Sequence, residues 1–303
     1  MLLSRDASGS VPVFACPRRT LIPLGGRVLK ILVAVKRVAD PDNLNKIKLS
    51  PSGEIDAAGL EPKASPYDEY ALEAALRLTE NGANTKARLG EVVVATLGPK
   101  ASEQMLRAMM GTGADRGIRV EANDAELDGD LVARALAALV AKEKPDLVIL
   151  GYQQAEHESN EVAQMLAAHL GWPQATFAGR LRSDDDKALV VGREIEGGVA
   201  EVKVTLPAVV SVLDKIVHPK SVKSMHTQPA HAYPDGVRFA ALMAIMAAKK
   251  KPLVEMKLTD LVTDTALKVR YHAAEMPPRR SAGVKVKDVK ELVTKLKTEA
   301  KVV

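Results

Sequence analysis

Ile31-Leu32-Val33-Ala34-Val35 is an unbroken apolar run. A strand with one wet face alternates apolar and polar residues. A run with no polar break reads as a strand buried on both faces, the habit of parallel sheets covered by helices. The chain on either side supports that reading. Ser65-Pro66-Tyr67-Asp68 is a helix start, with Ser65 suited to the N-cap, Pro66 to the first helical position and Asp68 to the third position of a capping box. Leu72, Ala75, Leu76 and Leu78 then supply a buried stripe. Glu91-Val92-Val93-Val94-Ala95 is the next strand, and Met105, Leu106, Met109 and Met110 mark a helix closed by Gly111 and Gly113. These methionines fill core space. Gly117-Ile118-Arg119-Val120 is a short strand, and Asp130 caps a helix carrying Val132, Leu136, Leu139 and Val140. Pro145-Asp146-Leu147-Val148-Ile149-Leu150-Gly151 is a central strand, after which Ser159 opens a helix with Val162, Met165, Leu166 and Leu170.

The alternation predicts an α/β fold, an open and mostly parallel sheet with helices on both faces. Ligands of such sheets bind beyond the carboxyl ends of the strands. Those ends are Lys36 to Asp40, Ala95 to Pro99 and Gly151 to Gln154. No Gly-rich dinucleotide loop or P-loop follows any strand. After Trp172 the pattern changes. Ala188–Arg193 and Ala200–Val204 flank Gly197-Gly198 and read as a β-hairpin, and Leu206-Pro207-Ala208-Val209-Val210-Ser211-Val212 returns as a buried strand. From Lys249 to Val303 long apolar runs are few, and the stretch reads as an extended C-terminal arm with a helix near Asp288 to Lys297.

Composition narrows the function classes. The 303 residues suffice for a sizeable core. No apolar run approaches the about 18 residues that a membrane-spanning helix needs, so no direct membrane insertion is expected. Cys16 is the single cysteine, which fits a reducing compartment. The net charge of +5 is not matched by the aromatic content of 3% that single-stranded nucleic-acid binding by stacking would want, so no nucleic acid is expected and an acidic protein partner suits the charge better. Residues 1–28 hold Arg5, Arg18, Arg19 and Arg27 against one acid, Asp6, with prolines at 12, 17 and 23. They are expected to be a disordered extension, read first as an upstream start before a native Met-Lys-Ile-Leu-like beginning at Leu29 and second as a transit peptide.

Several short segments stand in a fixed order along the chain: Leu32 to Val38, Gly113 to Ile118, Trp172 to Phe177, Arg193-Glu194-Ile195-Glu196-Gly197-Gly198 and Arg280 to Val286. With the Asn160 to Met165 helix start, they resemble the β subunit of electron transfer flavoprotein from about Leu29 to the end. The resemblance implies the adenine-nucleotide alpha-hydrolase-like (HUP-type) form of the α/β fold over residues 29–248, followed by an arm over 249–303 that contacts an α subunit. It implies a structural AMP on the α/β core and FAD shared with the α subunit. Electrons would come from acyl-CoA dehydrogenases and leave through the electron transfer flavoprotein–quinone oxidoreductase, so the chain would be a carrier subunit and no enzyme by itself. The expected setting is the bacterial cytoplasm, with the mitochondrial matrix as the alternative.

The family's nucleotide positions carry over as Ala34, then Ser65, Pro66, Tyr67 and Asp68, then Leu97, and then Glu156, His157, Glu158, Ser159, Asn160, Glu161, Val162, Ala163, Gln164 and Met165. Ser65 stands where the family has Asn, Leu97 where it often has Cys, and Val162-Ala163 where it usually has Thr-Gly. The helix N-terminus opened by Ser159 offers open N–H groups and the positive end of a dipole, which suit a phosphate. Glu156, Glu158 and Glu161 favour the dipole but repel a phosphate, so that phosphate must rely on backbone amides and hydroxyls.

The family's short partner-recognition loop is replaced here by an insertion of Pro, His, Ser and Lys over about 214–237. Ile216 or Val237 is the expected apolar anchor. His218, His226 and His231 lack the rigidly spaced third and fourth ligands of a metal site. No nucleophile–base constellation is visible. Two other readings stand beside the first. One is a stand-alone ATP- or AMP-binding module like the universal stress proteins, and the other is a paralogue serving different dehydrogenases.

Overall fold

The computed structural model describes residues 28–303 except 51–54, 57–58, 82–83, 271, 273, 276–277 and 279–281. The extension at 1–27 and Arg280 and Ser281 of the late motif lie outside the described residues. The chain divides into two units.

The larger unit carries a ten-stranded sheet. In chain order its strands are β1 (Leu29–Ala34), β2 (Gly90–Gly98), β3 (Arg116–Glu121), β4 (Leu147–Gly151), β5 (Gln174–Arg182), β6 (Ala188–Ile195), β7 (Gly198–Thr205), β8 (Ala208–Val212), β9 (Val222–Lys223) and β10 (Leu253–Lys257). They lie in the order β7-β6-β5-β8-β4-β1-β2-β3-β10, with β9 also paired to β5. Only β5–β6 and β6–β7 run antiparallel. The helices are α1 (Pro66–Thr79), α2 (Ser102–Thr112), α3 (Gly129–Glu143), α4 (Val162–Leu170) and α5 (Leu242–Ala248).

The opening apolar run behaves as its lack of polar breaks predicts. Successive side chains of a strand point to opposite faces. Ile31 and Val33 therefore enter one core with α1 and α2, while Leu32 and Ala34 enter the other with α3 and α4. Val92 and Val94 of β2 go with the first pair, Val93 and Ala95 with the second. Each such fully buried Val, Leu or Ile contributes about 1.5–3 kcal/mol.

The hairpin forms with a two-residue loop at Glu196-Gly197, closed by pairing of Ile195 with Gly198. Gly197 has φ +83°, the left-handed conformation such a turn asks of glycine. Within the stretch expected to be an arm, Leu253–Lys257 forms β10 beside β3. Helix starts differ in detail from the expectation. Asp128, and not Asp130, caps α3 by accepting from Leu131 N, while Asp130 pairs with Arg134. α4 begins at Val162, three residues after Ser159.

The smaller unit comprises Lys48–Asp56 and Tyr271–Val303. Lys48–Leu49 pairs antiparallel with Ile55–Asp56. Its helix α6 (Val289–Lys295) is capped by Asp288, which accepts from Glu291 N at 2.8 Å. Among the described residues no helix is long and apolar enough to cross a membrane.

Candidate functional site

The chain lays β2 and β3 to one side of β1, then crosses to place β4 on the other. The carboxyl ends of β1 and β4 are therefore a topological switch point, where the following connections diverge and leave a crevice. Ala34 closes β1, and Leu97 lies one residue from the end of β2. The segment from Glu156 to Met165 follows β4. The fold thus brings the candidate residues to one edge of the sheet.

The floor of the crevice is built by Asp68. Its Oδ2 accepts from Lys36 N at 2.8 Å and its Oδ1 from Gly151 N at 3.0 Å. One carboxyl thereby ties the ends of β1 and β4 together. Burial pushes its pKa up to about 7, against the opposing pull of those two N–H groups. The expected capping box does not form. Ser65 does occupy the N-cap, but no side chain caps α1, because Asp68 is turned inward to the strands. The Ser65 hydroxyl is buried and has no hydrogen-bond partner. Gly151 lets α1 approach this closely, since a Cβ there would lie 2.5 Å from the Cβ of Tyr67 and 2.8 Å from Asp68 Oδ1.

One wall is aromatic. The Tyr67 and Tyr152 rings meet edge to face at 4.8 Å, and Tyr152 lies 6.0 Å from Phe177. Three of the few aromatics in a chain only 3% aromatic meet here. Burial, with a hydrogen bond to Tyr67, pushes the Tyr152 phenol up to about 12. At the mouth, Lys36 Nζ donates to Gln154 Oε1 at 3.1 Å and pairs with Glu156 Oε2 at 2.7 Å. The connection after β4 folds on itself through Gln154 N to Ser159 O and Glu158 N to Gln154 O.

α4 starts at this loop with Glu161 in the N-cap position and no side-chain cap. Its first-turn amides, Val162, Ala163 and Gln164, are the open donors of a helix N-terminus. The three nearby acids are distributed. Glu156 is neutralised by Lys36, and the Glu161 carboxyl packs over Gly129, 2.2 Å from where a Cβ would stand. Glu158 and His157 are exposed, Glu158 with φ +54°. Ala163 faces the core with Leu166, so only its backbone is available to a ligand. Gln164 Nε2 donates to Asn160 Oδ1 at 3.2 Å, and Met165 is half-buried. An uncapped helix start and an orphaned hydroxyl at one edge of the sheet suit a phosphorylated, hydroxyl-bearing ligand such as an adenine nucleotide. Lys36, Tyr152 and Gln154 were not singled out from the sequence. Their position directly after β1 and β4 was the available signal.

The insertion at 214–237 is held down rather than loose. Arg77 of α1 is fully buried and donates to the carbonyls of His218, Pro234 and Gly236 at 2.9–3.0 Å. The Tyr233 hydroxyl donates back to Arg77 O, and its ring stacks 4.9 Å from the guanidinium carbon. Ile216, expected as an exposed anchor, is 0% exposed, and Val237 is half-buried against the core. The exposed apolar residues come later: Phe239 at 92%, Leu242 at 74%, Met243 and Met246, beside exposed Lys249 and Lys250. His218 pairs with Asp235, and the His231 ring abuts Tyr233. No group of three or more His, Cys, Asp and Glu among the described residues is arranged to hold a metal ion.

The electron transfer flavoprotein domain matches residues 53–261, a span that includes α1, α4 and α5. An electron transfer flavoprotein subunit β of Bradyrhizobium diazoefficiens is 39% identical over 272 residues, covering 90% of this chain and 99% of its own. The human protein of the same name is 39% identical, covering 89% and 97%. The mitochondrial one of Arabidopsis thaliana is 38% identical, covering 91% and 100%. Similarity of this extent over nearly whole chains, on a mostly parallel α/β sheet, means that the chain belongs to the electron transfer flavoprotein β-subunit family.

Proposed function

We propose that this chain is the β subunit of a heterodimeric electron carrier. It holds AMP in the switch-point crevice and, with an α subunit, FAD. Electrons arrive from acyl-CoA and other flavin dehydrogenases and leave toward a membrane quinone reductase. The observation that carries this reading is the 39% identity over nearly the full length of proteins named as that subunit. FAD, when bound, supplies the redox chemistry, and the protein supplies binding, orientation and electrostatics.

The chain's own residues divide that work. The α4 amides and the Ser65 hydroxyl hold the AMP, and the Tyr67–Tyr152 wall shelters it from water. Asp68 keeps both oxygens on backbone amides, so it shapes the crevice without touching nucleotide. The exposed face of Phe239, Leu242, Met243 and Met246 takes the dehydrogenase. Such a face, rimmed by Lys249 and Lys250, fits an apolar pocket bordered by acids. The setting is the bacterial cytoplasm or the mitochondrial matrix.

Co-purification with the cognate α subunit, followed by acid release and chromatography of bound nucleotides, tests the reading. One FAD and one AMP per heterodimer is the expected result. Two FAD without AMP would place the complex among electron-bifurcating carriers. A lone chain that binds ATP and ignores the α subunit would overturn the assignment.

A further inference from the structure

Lys36 and Glu156 stand on opposite lips of the switch-point crevice. Lys36 follows β1, and Glu156 follows β4. Their ion pair at 2.7 Å is reinforced by Gln154 Oε1 at 3.1 Å from the same ammonium and by Ala39 N at 3.5 Å from Glu156 Oε1. Both side chains remain about one-third exposed, so either partner can exchange. The neighbouring cation, Arg37, is already bound to Asp124. Lys36 is therefore a cation that the lip of the crevice can offer to an anion at the start of α4, and Glu156 is the group already holding it.

We propose that Lys36 is the phosphate-recognising residue of this site and that Glu156 is its built-in competitor. A nucleotide phosphate displaces the Glu156 carboxylate from Lys36, and the ammonium then completes the donor set begun by the α4 amides. The proposal rests on the reading of the crevice as a nucleotide site. It assigns to this chain a specificity device that favours phosphorylated over unphosphorylated nucleosides. The exchange leaves the net charge of the mouth unchanged at each step except for the incoming phosphate. A surface ion pair of this kind is weak enough to yield, whereas a phosphate brings more charge and more acceptors.

Calorimetry on nucleotide-stripped full-length chain with AMP and with adenosine separates the alternatives. The wild-type chain should bind AMP at least about tenfold more tightly than adenosine. Lys36→Met should collapse that ratio by about tenfold while leaving adenosine binding within twofold. Lys36→Arg should restore most of it. Glu156→Gln should tighten AMP about threefold and leave adenosine alone, because it removes only the competitor. An unchanged AMP-to-adenosine ratio in Lys36→Met, or weaker AMP binding in Glu156→Gln, overturns the proposal and leaves the nucleotide site standing. Failure of wild-type chain to bind either compound overturns both. Circular dichroism of each variant guards against misfolding, and Glu156→Gln, at a half-exposed loop position, carries the test if Lys36→Met does not fold.

Discussion

The guanidinium of Arg238 forks onto the carboxylate of Glu73, with Nε at 2.7 Å from Oε2 and Nη2 at 3.0 Å from Oε1, across 165 positions of chain. Arg77 binds the same carboxylate from within α1, and Arg238 reaches on to Glu80. The two arginines and two glutamates form one largely buried cluster at the base of the insertion. For Arg238, burial alone would weaken the charge, but the bonds to Glu73 and Glu80 outweigh it and raise its pKa. This cluster anchors the chain four residues before α5, which itself packs on α2, with Arg107 donating to Ala248 O.

Removing Arg238 should therefore unfold the base of the insertion. Arg238→Met leaves Glu73 and Glu80 buried without their main partner, at a cost of about 3–5 kcal/mol. Denaturant midpoints measure the loss. A change below about 1 kcal/mol would show that the cluster is dispensable. Replacing residues 214–237 by a short loop should be similarly costly, because it removes the buried Ile216 and Tyr233 and leaves Arg77 without its three carbonyls.

The cluster also gives an acid limb to stability. Burial would raise Glu73, but Arg238 and Arg77 hold it below the ordinary carboxylate range. A depressed carboxylate contributes stability that is complete above its unfolded pKa and lost as pH falls through its folded value. Glu80 moves the other way, raised by burial, and partly offsets this between its unfolded and folded values. Glu73→Gln should flatten the loss of thermal stability below about pH 4.5.

Asp68 has the opposite sign. Its folded pKa of about 7 lies above the ordinary aspartate value of 3.8. The folded state thus holds this proton more tightly, and stability falls as pH rises from about 4 to about 7. Asp68→Asn should remove that slope in denaturant titrations at pH 5 and pH 8. Protonation also turns one acceptor oxygen into a donor facing an N–H. Hydrogen exchange, corrected for intrinsic rate, should show the Lys36 or Gly151 amide less protected at pH 6 than at pH 8. Equal protection would show that both bonds survive protonation.

Gly151 admits no side chain. Gly151→Ala would drive a methyl against the backbone carbonyl carbon of Tyr67, 2.8 Å away, as well as against Asp68. The expected cost is about 1–3 kcal/mol, read by thermal unfolding. AMP affinity should fall with it, since the displaced α1 carries both Ser65 and Tyr67.

The α5 face should be required for electron transfer and not for folding. Leu242→Asp, at 74% exposure, should change stability by less than about 0.5 kcal/mol. It should slow reduction by an acyl-CoA dehydrogenase by about tenfold or more. Reduction at the wild-type rate would move the docking surface elsewhere.

Much of the fold was legible because it rests on local pattern. The unbroken run at Ile31–Val35 announced a strand covered on both faces, and Gly197 marked the hairpin turn that forms one residue from where the glycine pair suggested. The site was legible in part. α4 starts uncapped at Val162 and not at Ser159, whereas the placement of Ser65 at an N-cap followed from residue types. Asp68 did not, because a capping box and a strand clamp use the same residue at the same helical position. The insertion was misread for a similar reason. Ile216 and Val237 look alike as apolar residues in a polar loop, and only Arg77 and Arg238, distant in sequence, pull that loop down onto α1.

The sequence by itself determined most of the strands and helices of the sheet's core, that the sheet is mostly parallel, and which family the chain resembles. Periodicity, capping chemistry and glycine placement act over a few residues and are written directly in the order of the chain. Tertiary structure alone decided that Asp68 joins β1 to β4, that Lys36 faces Glu156 across the crevice, and that Leu242 is exposed while Ile216 is buried. Those outcomes depend on pairing between residues tens to more than a hundred positions apart. They are settled by which buried charge finds a partner, and no local pattern encodes that choice.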